Sequence, residues 1–515
     1  MDAPAETGVS SRGRWAALVG ICVAAGLVWL AFADLGVALP TISKELHVSV
    51  TDLQWMNNSF SLACGALVLA AGRFSDLYGR RKILLVGIAV FGLFSMLTAF
   101  LSGLAGLVVG RALMGVGAAL ILPATLALIP VMFPRAEQPR AFGAWMAVAW
   151  VAQAAGPAVG GVLTSALGWR SLFWVPVPLA VVAYVIIARR SPESRDENAA
   201  PGLDYAGLVC SAGAAFCLLY ACTAGQEVGF GDPLIIGMFV AALVLAVTFV
   251  LVERRVHNPL VDLRLFRARD FDGALTANLV MNVVFAGISF LFALYLQDVR
   301  GFSALEAGLL LFPSTITILA LNPFGSRVSA RRGPRSPVVW GLVLLGLGTF
   351  VAGFVSTDSP YLVLLIGLLV LGAGLGLMSV PISDTAVAGP PTELAGTASG
   401  LFKMSSMLGG SFGVALLAAL AQALQARNGR QQAEAAGLTT DQIDQLRNAL
   451  TSSTVANEVL GSLPESTRNA VIQAYHVAQA VGTAGAVKLA AAIALFTAVA
   501  LPFIWPRDRS EAPTT

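Results

Sequence analysis

The chain has 515 residues, 57% of them hydrophobic and 12% charged, with a mean hydropathy of +0.78. That is far more apolar than a soluble globular protein of ordinary composition, so the chain reads as a polytopic membrane protein whose first partner is the lipid bilayer. A formal net charge of +3 over this length gives no electrostatic reason for a nucleic-acid partner.

A window of about 20 residues finds a regular series of apolar runs along the chain. The expected spans are Trp15–Leu39, Leu53–Gly72, Ile83–Ser102, Leu104–Val131, Ala141–Leu167, Leu172–Ala188 and Leu203–Ala224. They continue as Pro233–Val252, Phe271–Leu296, Ala304–Phe324, Pro337–Val355, Tyr361–Ile382, Leu394–Leu424 and Gly485–Trp505. The expected fold class is therefore all-α, with fourteen transmembrane helices. Arg12 and Arg14 precede the first run and no small-residue cleavage site follows it, so that run is expected to be retained as a span. An even number of spans puts both termini on one side, and Arg507 and Arg509 agree with Arg12 and Arg14 on the cytoplasm. Most of the 32 Lys and Arg residues then fall in expected cytoplasmic segments, a bias that one missed span would destroy.

Two segments interrupt the series. Residues 189–202, RRSPESRDENAAPG, form a charged, turn-rich linker. The expected outer loop at 425–484 offers Thr440 and Glu465 as starts of short amphipathic helices, with a solvated, weakly ordered loop as the alternative. Cys22, Cys64, Cys210, Cys217 and Cys222 lie in apolar runs without metal-ligand spacing, which points to buried thiols and to no disulfide framework or metal site. No phosphate-binding G-x-x-x-x-G-K-[ST] loop occurs, so any work the chain performs would draw on an ion gradient rather than ATP. No cofactor is called for, and an enzyme is not expected.

The stretch Gly72–Lys82, GRFSDLYGRRK, joins two spans and carries Arg73, Arg80, Arg81 and Lys82, which marks the cytoplasmic side. A plain basic loop accounts for the cations but not for Gly72 and Gly79 flanking Asp76. The stretch closely resembles the G-x-L-x-D-x-x-G-R-R motif of the major facilitator superfamily. Further stretches resemble its fourteen-span drug:proton antiporter branch. AAGPAVGG supplies Gly156, Pro157, Gly160 and Gly161 of the antiporter motif G-P-x-x-G-G, and LVVGRALMGVGAAL puts Arg111 inside a span. ERRVHNPLVDLRLF, LYLQDVRGFSALEAG and GTASGLFKMSSMLGGSFGVAL look like the second half of that branch. NPFGSRVSARRGPR is a degenerate repeat of the first motif, without its Asp.

The resemblance implies two six-helix bundles around a central cavity, with two helices inserted between them. The domains are then 1–14 cytoplasmic tail, 15–188 first bundle, 189–202 linker, 203–252 inserted pair, 253–270 cytoplasmic loop, 271–505 second bundle and 506–515 cytoplasmic tail. It also implies a drug exporter of the cell membrane, with a small-molecule substrate and protons as partners, working as a monomer. Asp76, Arg80 and Arg81 would latch the cytoplasmic face while the cavity faces outward. The runners-up are an exporter or importer of one endogenous metabolite or lipid, and a transport-inactive receptor or scaffold.

Charges inside spans are where the chemistry is expected, because each is expensive unless paired or hydrated. Asp34, in AFADLGVALP, can take up and release a proton there, and Arg111 would favour its ionised form when the two approach; the alternative is a static structural ion pair. The antiporter branch usually reads D-x-T-x-V-N-V-A-L-P, with the Asp nine residues before the Pro, whereas Asp34 precedes Pro40 by six. On a continuous helix that shift moves the carboxylate ~4.5 Å outward on nearly the same face. Lys403 is expected to snorkel to the cytoplasm, Asp204 to anchor a helix at the interface, and His47, His257 and His476 to lie in loops. Asn57, Asn58, Gln153, Asn278, Asn282 and Asn322 line a polar cavity or make interhelical hydrogen bonds. A proton entering down about 100 mV and one pH unit releases about 2.3 and 1.4 kcal/mol, so one carboxylate suffices to drive export.

Overall fold

The computed structural model describes residues 11–48, 50–196, 204–256, 259–435 and 465–505. Every element among them is helical, as a hydrocarbon solvent requires of segments that must satisfy their own backbone. The α-helices, in order, are α1 (Ser11–Ala33), α2 (Leu39–Leu46), α3 (Val50–Tyr78), α4 (Arg80–Ala99), α5 (Leu104–Met132), α6 (Gln138–Leu167), α7 (Ser171–Trp174) and α8 (Pro176–Arg190). Then follow α9 (Tyr205–Val228), α10 (Pro233–Glu253), α11 (Arg269–Leu294), α12 (Ala304–Arg332), α13 (Arg335–Ala352), α14 (Tyr361–Ala388), α15 (Ala395–Ala435) and α16 (Glu465–Ile504). Among the described residues, fourteen stretches are long and apolar enough to cross a membrane, α7 and α8 counting as one and α2 as none.

Helix α1 packs on α5, α6 and α8, while α3 and α4 pack on α5. In the second half of the chain, α11 packs on α14, α15 and α16, and α13 and α12 pack on α14. The halves meet where α15 lies against α3 and α5 and where α12 and α14 lie against α6. Helices α9 and α10 pair with each other, and α9 also touches α3 and α15. Only 11% of the apolar stretch of α10 is buried, so nearly all of it is left to face lipid. Asp204 caps α9 by accepting from Gly207 N at 2.8 Å, and Asp232 caps α10 by accepting from Leu234 N at 2.8 Å.

Four expectations change. The first span ends at Ala33 and not Leu39, because the chain turns through Leu35–Ala38 before α2 restarts with Pro40 in its first turn. Gly72–Lys82 is no loop, since its residues complete α3 and open α4 around Gly79 alone. The region 425–484 is largely helical where described: α15 runs on to Ala435, and α16 starts at Glu465 and continues unbroken through the last span. A Cβ on Gly482 would come within 2.4 Å of the Ala421 carbonyl, so the two helices are in backbone contact there. His476 accordingly sits on α16, whereas His257 and Thr440 lie outside the described residues.

Candidate functional site

At the end of α3, Asp76 and Arg80 form a fully buried ion pair at 2.8 Å, 0% and 1% exposed. Asp76 also accepts from Gly396 N (2.7 Å), Thr397 N (2.6 Å) and Thr397 Oγ1 (2.9 Å), and thereby caps the N-terminus of α15. Arg80 donates to the carbonyls of Thr392 and Glu393 ahead of α15 and to Ser194 Oγ of the linker. One carboxylate and one guanidinium thus tie the α3–α4 junction to the other half of the chain.

The glycines serve this contact. A Cβ on Gly72 would meet the Gly396 carbonyl at 2.4 Å and the Cα of Gly400 at 2.9 Å, so α3 and α15 touch backbone to backbone. Gly79 adopts φ +108°, which only glycine holds cheaply, and a side chain there would strike Glu193. Arg81 is not part of the Asp76 cluster. It pairs with Glu193 at 3.7 Å on the half-exposed linker, and Glu193 accepts from the backbone N–H of Arg81 and Lys82 at 3.1 Å each, capping α4. Beside the Asp76–Arg80 pair, a cavity of about 1020 Å³ lies between the ends of α12 and α14 and the start of α6, lined by Arg135, Arg264, Arg331, Arg332, Asp384 and Glu393 among others.

Deeper in the bundle, Arg111 of α5 is 1% exposed and fully engaged. It donates to the carbonyls of Ala31 (2.8 Å) and Met56 (3.2 Å) and to Asn57 Oδ1 (3.2 Å), and stacks over Phe60 at 4.5 Å. Asp34, 4% exposed, lies within electrostatic reach of Arg111, but no ion pair among the described residues joins them. The guanidinium is thus held by helix carbonyls and Asn57, with the neighbouring carboxylate in the turn after α1.

The glycines of α6 seat that turn. A Cβ on Gly156 would lie 2.4 Å from Ala33 Cβ, and one on Gly160 would lie 2.2 Å from the Asp34 carbonyl oxygen. Gly161 has room, its nearest neighbour being Val37 Cγ1 at 3.7 Å, and α6 is continuous through Pro157. The helical-face argument for Asp34 fails, since its backbone is no longer helical.

Lys403 of α15 does not snorkel. It is 4% exposed, with Nζ 4.4 Å from the Trp145 ring and 5.2 Å from Trp29 and Phe402. A hydropathy reading has no means of finding this aromatic enclosure, whose members come from α1, α6 and α15. The polar residues divide: Asn278 donates to the Phe402 carbonyl and to Ser405 and Ser406 Oγ, and Asn322 accepts from Ser379 Oγ, both interhelical bonds. Asn58, Gln153 and Asn282 are half-buried, and Asn282 donates to the Asn278 carbonyl.

Comparison with known proteins matches the Major Facilitator Superfamily over residues 17–414. The chain belongs to that superfamily. This facilitator is 33% identical over 410 residues to a tetracenomycin C resistance and export protein of Streptomyces glaucescens, spanning 79% of this chain and 76% of the relative. It is 35% identical over 402 residues to the multidrug resistance protein Stp of Mycobacterium tuberculosis (77% and 74%), and 30% identical over 406 to the quinolone resistance protein NorB of Staphylococcus aureus (78% and 87%). In fold it resembles the crystal structure of the human organic anion transporter MFSD10 (TM-score 0.62, 15% identity, 95% and 99% covered). It also resembles a bacterial homolog of the human lysosomal transporter Spinster (TM-score 0.58, 16% identity, 97% and 99% covered). The facilitator is a multi-pass membrane transporter and not an enzyme.

Proposed function

We propose that this facilitator is a proton-coupled antiporter that exports amphipathic drug-like molecules across the cell membrane by alternating access. Two six-helix bundles flank the inserted α9–α10 pair, both termini are cytoplasmic, and the protein works as a monomer. The observation that carries the reading is Asp34, a carboxylate enclosed among apolar helices without a direct cation partner and seated against the glycines of α6. Its charge is expensive there unless a proton or a nearby cation offsets it, so its protonation is coupled to how α1, α5 and α6 pack. Arg111 sets which packing tolerates the ionised form. Asp76 and Arg80 bridge α3 and α15 in this conformation and must release when the cytoplasmic face opens.

Resistance names among relatives at 30–35% identity support the cargo class. The test is dye efflux from a sensitive host with and without an uncoupler, repeated with Asp34→Asn. Efflux should collapse with the uncoupler and in the variant; efflux indifferent to the uncoupler would sink the reading.

A further inference from the structure

Among the described residues, the buried charged side chains other than the Asp76–Arg80 pair and the two at the ends of α9–α10 are Arg111, Lys403 and Asp34, two cations against one acid. Asp76 and Arg80 neutralise each other at one face, and Asp204 and Glu253 sit at the ends of the peripheral α9–α10 pair. Arg111 is consumed by carbonyls and Asn57. Lys403 is different: no carboxylate or hydrogen-bond acceptor engages its ammonium among the described residues, and its neighbours are ring faces and the buried Cys64 thiol.

The adjoining Trp29 adds to this. Its indole Nε1 is enclosed yet donates to nothing, whereas Trp145 Nε1 is satisfied by Thr125 Oγ1 at 3.2 Å. Trp29 continues through Phe32 (5.6 Å) to Phe60 (4.7 Å), the ring beneath Arg111. The place where α1, α6 and α15 converge therefore holds an unpaired cation, an unpaired N–H donor and flat apolar surface. A buried donor left without an acceptor is penalised by its full desolvation, and a ligand that supplies the acceptor recovers that loss.

We infer that Lys403 and Trp29, backed by the buried Trp145, form the recognition site for the acidic group of a planar aromatic cargo, the ammonium pairing with a carboxylate, phenolate or enolate oxygen while the half-buried Trp29 ring stacks on its body. This rests on the export reading for the word cargo and sharpens it: the preferred substrates are anionic or acid-bearing. A cationic amphiphile would place like charge beside Lys403 and bind more weakly.

The probe set is 2-naphthoate, its neutral amide and 2-naphthylmethylammonium, matched in shape and differing in charge. Binding is measured by equilibrium dialysis on the purified protein in lipid nanodiscs, with empty nanodiscs as blank. Naphthoate should bind about tenfold or more tighter than the amide, the gain expected of one charge-assisted hydrogen bond, and the ammonium most weakly. Lys403→Gln should bring naphthoate down to the amide, Lys403→Arg should keep the preference, and Trp29→Phe should reduce it by a smaller factor. Amide binding in each variant reports that the protein is folded, and if Lys403→Gln does not fold, the naphthoate-to-amide ratio of the unmodified protein decides. Equal affinity for naphthoate and amide, or a preference that survives Lys403→Gln, overturns the site. Equilibrium binding needs no gradient, so efflux that ignores the uncoupler would defeat proton-driven export and leave this result standing.

Discussion

The carbonyl oxygen of Asp34 stands 2.2 Å from where a Cβ on Gly160 would be, so the turn carrying the buried acid can sit where it does only because α6 has no side chain at that point. Gly160→Ala must push the turn away or bend α6, at a cost of about 1–3 kcal/mol for an overpacked contact. The expected outcome is a lower thermal unfolding midpoint in detergent and loss of most efflux. Gly161→Ala, one residue on, meets only ordinary contact at 3.7 Å from Val37 and should behave like the parent protein. Equal behaviour of the two variants would show that α6 does not position Asp34.

The Asp76 cluster makes a second expectation. Asp76→Asn leaves the Arg80 guanidinium buried without its counter-charge and can set an amide N–H2 against the N–H donors of Gly396 and Thr397. Breaking one member of a buried pair is worth about 3–5 kcal/mol, enough to weaken the α3–α15 contact. Ala398, 0% exposed just beyond it, is the reporter. In a background lacking the native cysteines, a cysteine introduced by Ala398→Cys should be alkylated at least about tenfold faster when Asp76→Asn is added, since about 1.4 kcal/mol already gives that factor. An unchanged rate would mean that the pair does not hold the face closed.

The fourteen spans were legible because apolar length is what a bilayer selects, and the Gly72, Asp76 and Arg80 cluster was legible because its charges interrupt an apolar run. Other features were not. Arg111 is stabilised mainly by backbone carbonyls of Ala31 and Met56, which leave no mark in a sequence. Lys403 looked like a snorkelling cation because hydropathy along one helix does not say whether a residue faces lipid, water or the rings of other helices. The break after Ala33 had a signal in Gly36 and Pro40, outweighed by the apolar residues around them. The partner of the first motif also had one: Gly396 and Gly400 are one helical turn apart, the spacing that lets another backbone approach.

At the opposite end of the bundle, Glu45 of α2 is held below its ordinary pKa by the hydrogen bond from Arg170 and then by that from Trp169 Nε1 at 2.8 Å. A carboxyl depressed in the folded state stabilises above its unfolded value, here about 4.5, and that contribution disappears as pH falls through the folded value. Unfolding midpoints measured from about pH 7 to about pH 3 should therefore drop on the acid side more steeply for the parent protein than for Glu45→Gln. The pair is half-exposed, so the difference will be small and should shrink in high salt. Parallel acid limbs would exclude any contribution from Glu45.

Arg111 and Asn57 allow the interior to be tested without touching Asp34. The guanidinium spans Ala31 of α1 and Met56 and Asn57 of α3, a reach that a lysine ammonium, with no planar fork, does not reproduce. Arg111→Lys keeps the charge but should lose most efflux, because α1 and α3 are no longer fixed around the acid. Asn57→Ala removes a single 3.2 Å acceptor and should lower stability by about 0.5–1.5 kcal/mol with transport largely kept. If Asn57 acts only through Arg111, the double variant should match Arg111→Lys alone in unfolding free energy, giving a coupling energy equal to the whole Asn57→Ala effect. Simple additivity in that cycle would instead give Asn57 a role independent of Arg111.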